Sequence, residues 1–383
     1  MLKSVKYSAI SLTHNCNLRC SYCYAGNKIK RRMSKETAFN TIDFLAEQCN
    51  GRCVATFFGG EPLLERELLK EVVLYSQKMY GNKIDFRVNT NGTKIDSDWL
   101  TFFKKHKLHF ALSLDGNSKQ HNMNRKFANG KGSYNMVADK LDDIFTFDPY
   151  TIAVSVVTPE TANCLSDGVQ DLFKKGFRYV IQTLDYSANW KTSDIKSLKI
   201  QYKKVAKFYQ QALKNNQKIA YSPFDERIKT WAQKPYERGD LCDLANTQIA
   251  IAPSGQIYPC VQFIGDDTNL NRENTIGSVT HGFDDNKRKQ FVNENYLDKT
   301  SCKGCELYGR CATYCGCVNW RSTGSISTIP PIICEHERML MPIVDRLANN
   351  LWENKVSLFK RKFYEPTYPI SSYIEDCQIK REG

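Results

Sequence analysis

The sequence has no run of eighteen apolar residues, which is about the minimum length for a membrane-spanning helix. Its first residues, MLKSVKYSAISL, also lack the apolar core and the small-residue cleavage site of a secretory signal. Internal repeats and low-complexity tracts are absent too. We therefore predict a protein with no membrane partner and a cytoplasmic location.

Cysteine, by contrast, is abundant, with 15 among the 383 residues. Disulfide frameworks are rare in a reducing cytoplasm, so this number favours metal ligation. The net charge of +13 favours an anionic partner such as an acidic peptide, a phosphate or a nucleic acid. The same basic residues also fit a solvated surface, so the charge alone leaves the partner open.

Short β-rich runs alternate with longer amphipathic segments from residue 1 to about 215, a pattern typical of βα units around a parallel sheet. The six strand candidates are 6–12, 54–58, 84–88, 109–114, 152–157 and 179–183. The clearest helix begins after Ser34, which is a good N-cap residue. Six units are too few for a closed eightfold barrel, so we predict an α/β fold built as a partial (β/α)6 barrel.

Beyond about residue 240 the chain consists of short segments rich in Cys, Gly and Pro, with little room for a conventional core. Small regions of this kind usually need metals or disulfides to fold. A helical pattern resumes at Pro342 and continues to about Leu358, followed by a tail without a predicted structure. The predicted segments are a barrel domain over 1–215, a linker over 216–240, a Cys-rich domain over 241–345, and a C-terminal helix and tail over 346–383.

Motifs that suit chemistry follow the carboxyl ends of the first four predicted strands. In parallel barrels the active site lies at this edge, so these motifs are expected to meet there. They are Cys16, Cys20 and Cys23 after the first strand, Gly59-Gly60-Glu61-Pro62 after the second, Asn89-Thr90-Asn91-Gly92 after the third, and Ser113 and Asp115 at the end of the fourth.

Cys16, Cys20 and Cys23 place three thiols in one loop with the spacing CxxxCxxC. Thiolates suit iron-sulfur clusters, and a 4Fe-4S cubane needs four of them to be saturated. Three thiolates leave one iron open, and the amino and carboxylate groups of S-adenosylmethionine (SAM) could chelate it. A zinc site or buried free thiols are the alternatives, although three cysteines make an incomplete tetrahedral zinc site.

These motifs resemble those of the radical SAM superfamily, and the resemblance extends over essentially the whole chain. It implies reductive cleavage of SAM to a 5'-deoxyadenosyl radical that abstracts hydrogen from unreactive C-H bonds. In the family's GGEP motif Glu61 would receive the SAM amino group, and backbone groups of Tyr22 would contact adenine. Arg125 is the candidate for the SAM carboxylate, because a guanidinium fork matches it in geometry. The family pattern also includes Gly59, Gly60, Pro62 and Asp115, and it places Ser113, with Asn89 or Asn91, near the ribose or methionyl part. No catalytic acid or base is indicated.

A second cysteine pattern, C-x12-G-x4-C, a gap, C-x2-C-x5-C-x3-C, a gap and C, matches the SPASM extension of the same superfamily. The match implies two auxiliary 4Fe-4S clusters, and so three clusters in all. One would be held by Cys302, Cys305, Cys311 and Cys334, and the other by Cys242, Cys260 and Cys315. The last iron of the second cluster could be open, bound by another side chain, or available to a substrate. The CxxC spacing alone also permits zinc knuckles.

The remaining cysteines have no place in either pattern. Cys49 and Cys53 fit apolar faces and are predicted to be core residues. Cys317 could be a spare thiol, a ligand in place of a neighbour, or a substrate-handling group.

Relatives with a SPASM extension typically act on peptides or proteins. The resemblance therefore implies a maturase that forms a thioether or carbon-carbon crosslink in a ribosomally made peptide. The alternative is an anaerobic sulfatase-maturating enzyme, which makes formylglycine. Those enzymes carry an Asp directly after the GxxxxC cysteine, where this chain has Val261, although Asp266 or Asp267 could replace it. A basic, metal-stapled nucleic-acid-binding protein is a third possibility, but the basic residues are spread along the chain.

The expected partners follow from that function. They are a peptide or protein substrate and a reductant such as flavodoxin or ferredoxin, with no membrane and no nucleic acid. Only about five residues precede the first predicted strand. We therefore expect leader recognition, if any, to use a separate leader-binding protein or the surface of the barrel and SPASM domains.

Overall fold

A computed structural model describes residues 2–237, 242–268, 273–311 and 315–382. All six predicted strands are present, and each pairs in parallel with the next. They are β1 (Tyr7–Thr13), β2 (Cys53–Gly59), β3 (Ile84–Thr90), β4 (His109–Ser113), β5 (Ile152–Val157) and β6 (Tyr179–Leu184), and a short β7 (Ala220–Tyr221) pairs in parallel with β6. The predicted partial barrel of parallel strands is confirmed.

Helices connect these strands, and nine lie within residues 2–237. They are α1 (Lys35–Gln48), α2 (Arg66–Tyr80), α3 (Ser97–His106), α4 (Ser118–Asn124), α5 (Tyr134–Ala138), α6 (Leu141–Phe147), α7 (Leu165–Lys174), α8 (Thr192–Lys214) and α9 (Ser222–Ala232). Ser34 caps α1 as predicted, because its Oγ accepts a hydrogen bond from the Thr37 backbone N–H at 3.0 Å. The main core forms where these helices pack on the sheet, with Phe57 of β2 and Trp99 of α3 fully buried.

The Cys-rich region continues the barrel sheet instead of forming a sheet of its own. Its strands are β8 (Gln248–Ile251), β9 (Gln256–Tyr258), β10 (Gly277–Ser278) and β11 (Gly282–Phe283). β8 pairs in parallel with β1, with Tyr7 opposite Gln248, and β9 to β11 follow in antiparallel order. The pairing satisfies the backbone groups along the outer edge of β1, which would otherwise be an open sheet edge. It also brings the segment after β9 next to the loop after β1.

The chain after β11 is mainly helical. The helices are α10 (Asp285–Tyr296), α11 (Gly316–Thr323), α12 (Pro331–Glu353), α13 (Ser357–Tyr364) and α14 (Tyr368–Glu382). The tail left unassigned in the sequence is therefore helical over its described part. No helix in the described ranges combines the length and the apolar character needed to cross a bilayer.

Two boundaries differ from the prediction. The segment 216–240, predicted as a linker, contains β7 and α9, and Phe224 and Ile228 of α9 are fully buried. Pro223 lies in the first turn of α9, where a missing backbone N–H costs little. The predicted helix start at Pro342 is also wrong.

That helix, α12, begins at Pro331 and continues through Pro342. An interior proline removes one backbone hydrogen bond and strains the preceding turn. Buried Leu340, Met341 and Val344 flank it, so packing against the core offsets this cost.

Cys49 and Cys53 are buried as predicted, with 4% and 3% of their surfaces exposed. They are joined by a disulfide bond, with the two Cα atoms 5.9 Å apart. The sequence alone predicted their burial but not this bond.

Candidate active site

A cavity of about 270 Å³ lies at the carboxyl ends of β1 to β6. Most of the predicted site residues line it, namely Cys16, Cys20, Tyr22, Cys23, Gly59, Gly60, Glu61, Asn89, Asn91, Ser113 and Arg125. Pro62 and Asp115 are buried behind this lining and do not form part of it. The structure therefore brings the motifs of four strands to one place, while their contacts with SAM remain predictions.

The loop after β1 directs all three of its cysteines to this cavity. The Leu18 backbone N–H donates to Cys16 Sγ at 3.4 Å, and Lys28 Nζ lies 2.8 Å from Cys23 Sγ. Burial raises the pKa of Cys16 to about 11. No three His, Cys, Asp or Glu side chains of the described residues converge as ligands of a single metal ion. A cubane takes one thiolate per iron, so the three cavity thiols fit a 4Fe-4S cluster as donors.

Gly59 and Gly60 are needed because the end of β2 packs against the cysteine loop. A Cβ on Gly60 would lie 2.0 Å from the Asn15 carbonyl oxygen, and one on Gly59 would lie 2.0 Å from Ser11 Oγ. Gly59 also has φ +107°, a conformation that disfavours other residues. The Glu61 N–H then donates to the Asn15 carbonyl at 2.8 Å, which ties the GGEP turn to the cysteine loop.

Glu61 joins the ends of β2 and β3. Its Oε1 accepts from the Thr90 hydroxyl at 2.7 Å and from the Leu63 N–H at 3.1 Å, while Oε2 accepts from the Asn91 N–H at 2.8 Å. Burial raises the pKa of this carboxyl to about 7, although the three hydrogen bonds act in the opposite direction. Glu61 therefore organises the cavity wall whether or not it contacts the SAM amino group.

Arg125 enters the cavity on a support built by Asp115. Its Nε lies 3.1 Å from Asp115 Oδ2, and the Tyr22 hydroxyl donates to the same oxygen at 2.7 Å. The guanidinium carbon lies 5.3 Å from the centre of the Tyr22 ring. Apart from Asp115, no described carboxylate pairs with this guanidinium. Its outer nitrogens are thus placed to bind an anionic group inside the cavity.

Residues 10–164, which contain the cysteine loop, the GGEP turn and Arg125, match the family model of the radical SAM superfamily. The chain is an enzyme with a radical SAM domain. It therefore uses SAM and a 4Fe-4S cluster, and the three cavity thiols are the donors that suit the cluster. This match favours the predicted enzyme over the alternative of a metal-stapled nucleic-acid-binding protein.

Known proteins resemble this radical SAM enzyme over most of its length. A cysteine-type anaerobic sulfatase-maturating enzyme of Clostridium novyi (strain NT) is 24% identical over 334 residues, covering 82% of this chain and 88% of that protein. The radical SAM cyclopropyl synthase TigE of Paramaledivibacter caminithermalis is 21% identical over 368 residues, covering 91% and 75%. The solved structure of native anSMEcpe with bound AdoMet and Cp18Cys peptide has a TM-score of 0.75 at 21% identity, covering 90% and 99%. That likeness supports the fold assignment, a radical SAM barrel followed by a Cys-rich domain.

The cavity of this radical SAM enzyme includes residues that the sequence analysis missed. Asp185 and Tyr186 follow β6, and Arg321 and Ser322 come from α11 in the Cys-rich region. The rule that placed the other motifs, the carboxyl end of a strand, would also have selected Asp185. Nothing in the local sequence indicated α11, because its contact with the barrel spans more than one hundred residues.

Asp185 is a carboxylate at the cavity with one oxygen left available. Its Oδ1 accepts from the Ser187 N–H at 3.1 Å and the Ser187 hydroxyl at 2.5 Å, whereas Oδ2 has no partner among the described residues. The other carboxylate of the lining, Glu61, is already bonded on both oxygens. Asp185 is thus the better placed of the two to accept a proton.

Asp266 and Asp267 do not line the cavity. Asp267 accepts from the Ser254 hydroxyl at 2.7 Å and the Tyr258 hydroxyl at 3.3 Å, and it lies 3.8 Å from His14 Nε2. Asp266 accepts from the Asn27 backbone at 2.6 Å. Both carboxylates attach the Cys-rich region to the loop after β1, so neither stands in for an Asp at Val261.

The distal cysteines lie in two separate apolar clusters. Cys242, Cys260 and Cys315 pack against one that includes Leu244, Phe263 and Ile326. Cys334 packs against another, which consists of Cys302, Ile329 and Ile333. Burial raises the pKa of the Cys334 thiol, and the neighbouring thiols of Cys302 and Cys305 raise it further. This separation parallels the two ligand sets expected for auxiliary clusters, which remain a prediction.

Proposed function

We propose that this radical SAM enzyme matures a ribosomally made peptide by forming a thioether or carbon-carbon crosslink. The observation that carries the proposal is that both the barrel and the Cys-rich region contribute residues to the cavity wall. Cysteine-loop residues of the barrel and Arg321 and Ser322 of the Cys-rich region line the same cavity. A peptide bound between them would lie close to the radical source and to the cysteines proposed to hold auxiliary clusters.

Residues that follow the first four strands would bind the cofactors. SAM with a reduced 4Fe-4S cluster would supply hydrogen abstraction from unreactive C-H bonds, and auxiliary clusters would supply an acceptor for a further electron. Cys16, Cys20 and Cys23 would hold the first cluster, and Arg125 would bind the SAM carboxylate. Asp115 would orient Arg125 and balance its charge, which keeps the guanidinium ready for the anion.

Other residues of the lining would bind and deprotonate the substrate. Crosslinking removes two hydrogens from the peptide, one of them as a proton, and Asp185 Oδ2 is available to accept that proton. Arg321, whose guanidinium carbon lies 5.6 Å from the centre of the Tyr24 ring, would bind an acidic or carbonyl group of the peptide. The net charge of +13 would help to attract an acidic leader.

The remaining assignments belong to the same proposal. Two auxiliary 4Fe-4S clusters would use the distal cysteines, and a flavodoxin or ferredoxin would deliver electrons. A separate protein or the enzyme's own surface would bind the leader.

Formylglycine formation is the second candidate. It is favoured by the similarity to the Clostridium novyi enzyme over 82% of this chain. It is disfavoured because Val261, and not an Asp, follows Cys260. Asp266 and Asp267 have structural roles, and neither belongs to the described cavity lining.

The decisive experiment uses the full chain, reconstituted anaerobically with iron and sulfide, with SAM and dithionite. Two substrates are compared: a short Cys-containing precursor encoded beside the chain's own gene, and a Cys-containing peptide from a sulfatase. Crosslinking predicts 5'-deoxyadenosine together with a precursor that has lost two hydrogens and kept its sulfur. Conversion of the sulfatase peptide's thiol to an aldehyde, with an unmodified precursor, would contradict the proposal.

A further inference from the structure

Cys317 lies among the three cysteines proposed for the second auxiliary cluster. Its Sγ is 3.3 Å from Cys315 Sγ, and its thiol also interacts with that of Cys260. The Cys242 thiol interacts in turn with Cys315. Four thiols from three distant parts of the chain are therefore in one group, and Cys317 is buried within it at 4% exposure.

The local structure explains why two cysteines of one short segment reach the same group. Cys315 is the N-cap residue of α11 and Cys317 lies in its first turn. Gly316 between them has no room for a side chain, because a Cβ there would lie 2.6 Å from Asn295 Oδ1 and 2.7 Å from Ile326 Cγ2.

The surroundings of this group are apolar. Leu244, Ile264 and Ile326 pack around it, and the Phe263 ring stacks on Trp320 with the ring centres 4.3 Å apart. Burial of this kind keeps water from a cluster. Gln248 Oε1 lies 3.9 Å from Cys242 Sγ, which is farther than the 3.3 Å between the sulfur atoms of Cys315 and Cys317. The sequence upstream of Cys242, residues 235–241, contains no cysteine either.

We propose that Cys317 supplies the fourth thiolate to the auxiliary 4Fe-4S cluster held by Cys242, Cys260 and Cys315. The proposal rests on the cluster assignment of the proposed function. A fully thiolate-ligated cluster has no open iron for a substrate sulfur, so this cluster would accept electrons without binding the peptide. Its role in crosslinking would then be that of an oxidant alone.

The test removes the SAM-binding cluster, which has its own open iron, by the triple change Cys16→Ala, Cys20→Ala and Cys23→Ala in the full chain. Two four-iron clusters, about eight iron atoms per chain, should remain after reconstitution. The reduced protein is titrated with cyanide, a ligand for open iron, and followed by electron paramagnetic resonance. We expect an unchanged spectrum, since every remaining iron has a cysteine.

Adding Cys317→Ala to the triple variant should expose one iron. We expect a spectrum that responds to cyanide, or the loss of about one iron atom as the cubane becomes a three-iron cluster. The matched control is Cys164→Ala in the same background, because Cys164 lies outside both groups and should change neither readout.

Two results would overturn the proposal. One is a cyanide-sensitive spectrum before Cys317 is changed, a result that does not depend on whether the Cys317 variant folds. The other is a Cys317→Ala protein with the iron content and spectra of its parent. Zinc in place of the distal iron would overturn the cluster assignment as well, whereas failure of peptide crosslinking alone would leave the ligand assignment intact.

Discussion

Arg125 and Asp115 form a buried ion pair at the cavity wall, with Arg125 Nε 3.1 Å from Asp115 Oδ2 and neither side chain more than 8% exposed. A buried carboxylate pairs with only part of a guanidinium, which leaves the outer nitrogens available for a second anion. The pair therefore fixes the position of Arg125 in the barrel and leaves its outer nitrogens available for the proposed contact with SAM.

Replacing Arg125 by Lys should weaken SAM binding by about tenfold or more, equivalent to about 1.4 kcal/mol. Lysine keeps the charge but cannot present a planar fork to a carboxylate. The measurement is calorimetric titration of SAM into reconstituted protein. Arg52→Lys, at an exposed pair with Asp85, is the matched control and should leave the affinity unchanged. An Arg125 variant with unaltered SAM affinity would remove Arg125 from the SAM site.

Gly60→Ala should prevent assembly of the SAM-binding cluster. The new Cβ would collide with the Asn15 carbonyl oxygen and displace the loop that carries Cys16. We expect a loss of about four iron atoms per chain after reconstitution and no cleavage of SAM. Gly51→Ala is the control for backbone strain without a collision: φ there is +80°, but a Cβ meets no atom within 4 Å, so the cluster should still assemble. Full iron content in the Gly60 variant would show that the cysteine loop accommodates the added Cβ and still holds the cluster.

Asp185→Asn should separate SAM cleavage from product formation. The amide keeps the size of the side chain but cannot accept the substrate proton, so crosslinked peptide should fall by about 100-fold or more. Formation of 5'-deoxyadenosine should persist, because Asp185 is proposed to accept the substrate's proton and not to contact SAM. The two products are quantified by mass spectrometry in the same reaction. An equal loss of both would place Asp185 in radical generation instead.

The stability of the SAM-free protein should fall as the pH rises from about 4.5 to about 7, because burial raises the pKa of Glu61 to about 7. The folded state binds more protons than the unfolded state in this range, so ionisation of Glu61 costs folding energy that is on the order of 3 kcal/mol. Glu61→Gln should remove this part of the pH dependence. Denaturant unfolding at several pH values measures it, and identical slopes for both proteins would contradict the expectation.

Much of the barrel was readable from local sequence. The six strands follow from β-rich runs between amphipathic segments, and Ser34 was recognised because a serine cap acts on its own helix. The CxxxCxxC loop and GGEP turn were found at the strand ends for a related reason: every parallel strand delivers its carboxyl end to one edge. Helix α12 was predicted to begin at Pro342, but it begins at Pro331. A proline usually marks a helix boundary, whereas here the packing of its buried neighbours compensates for a proline inside the helix.

Sequence by itself determined the partial barrel, the loop with three thiols and the motifs that meet around it, because each depends on neighbours a few residues apart. Tertiary structure alone decided that β8 joins β1, that α11 brings Arg321 to the cavity, and that Cys317 meets Cys242 and Cys260. Those contacts join residues far apart in the chain. The pairing of distant segments depends on packing and backbone hydrogen bonding throughout the molecule. Patterns over a few residues cannot predict it.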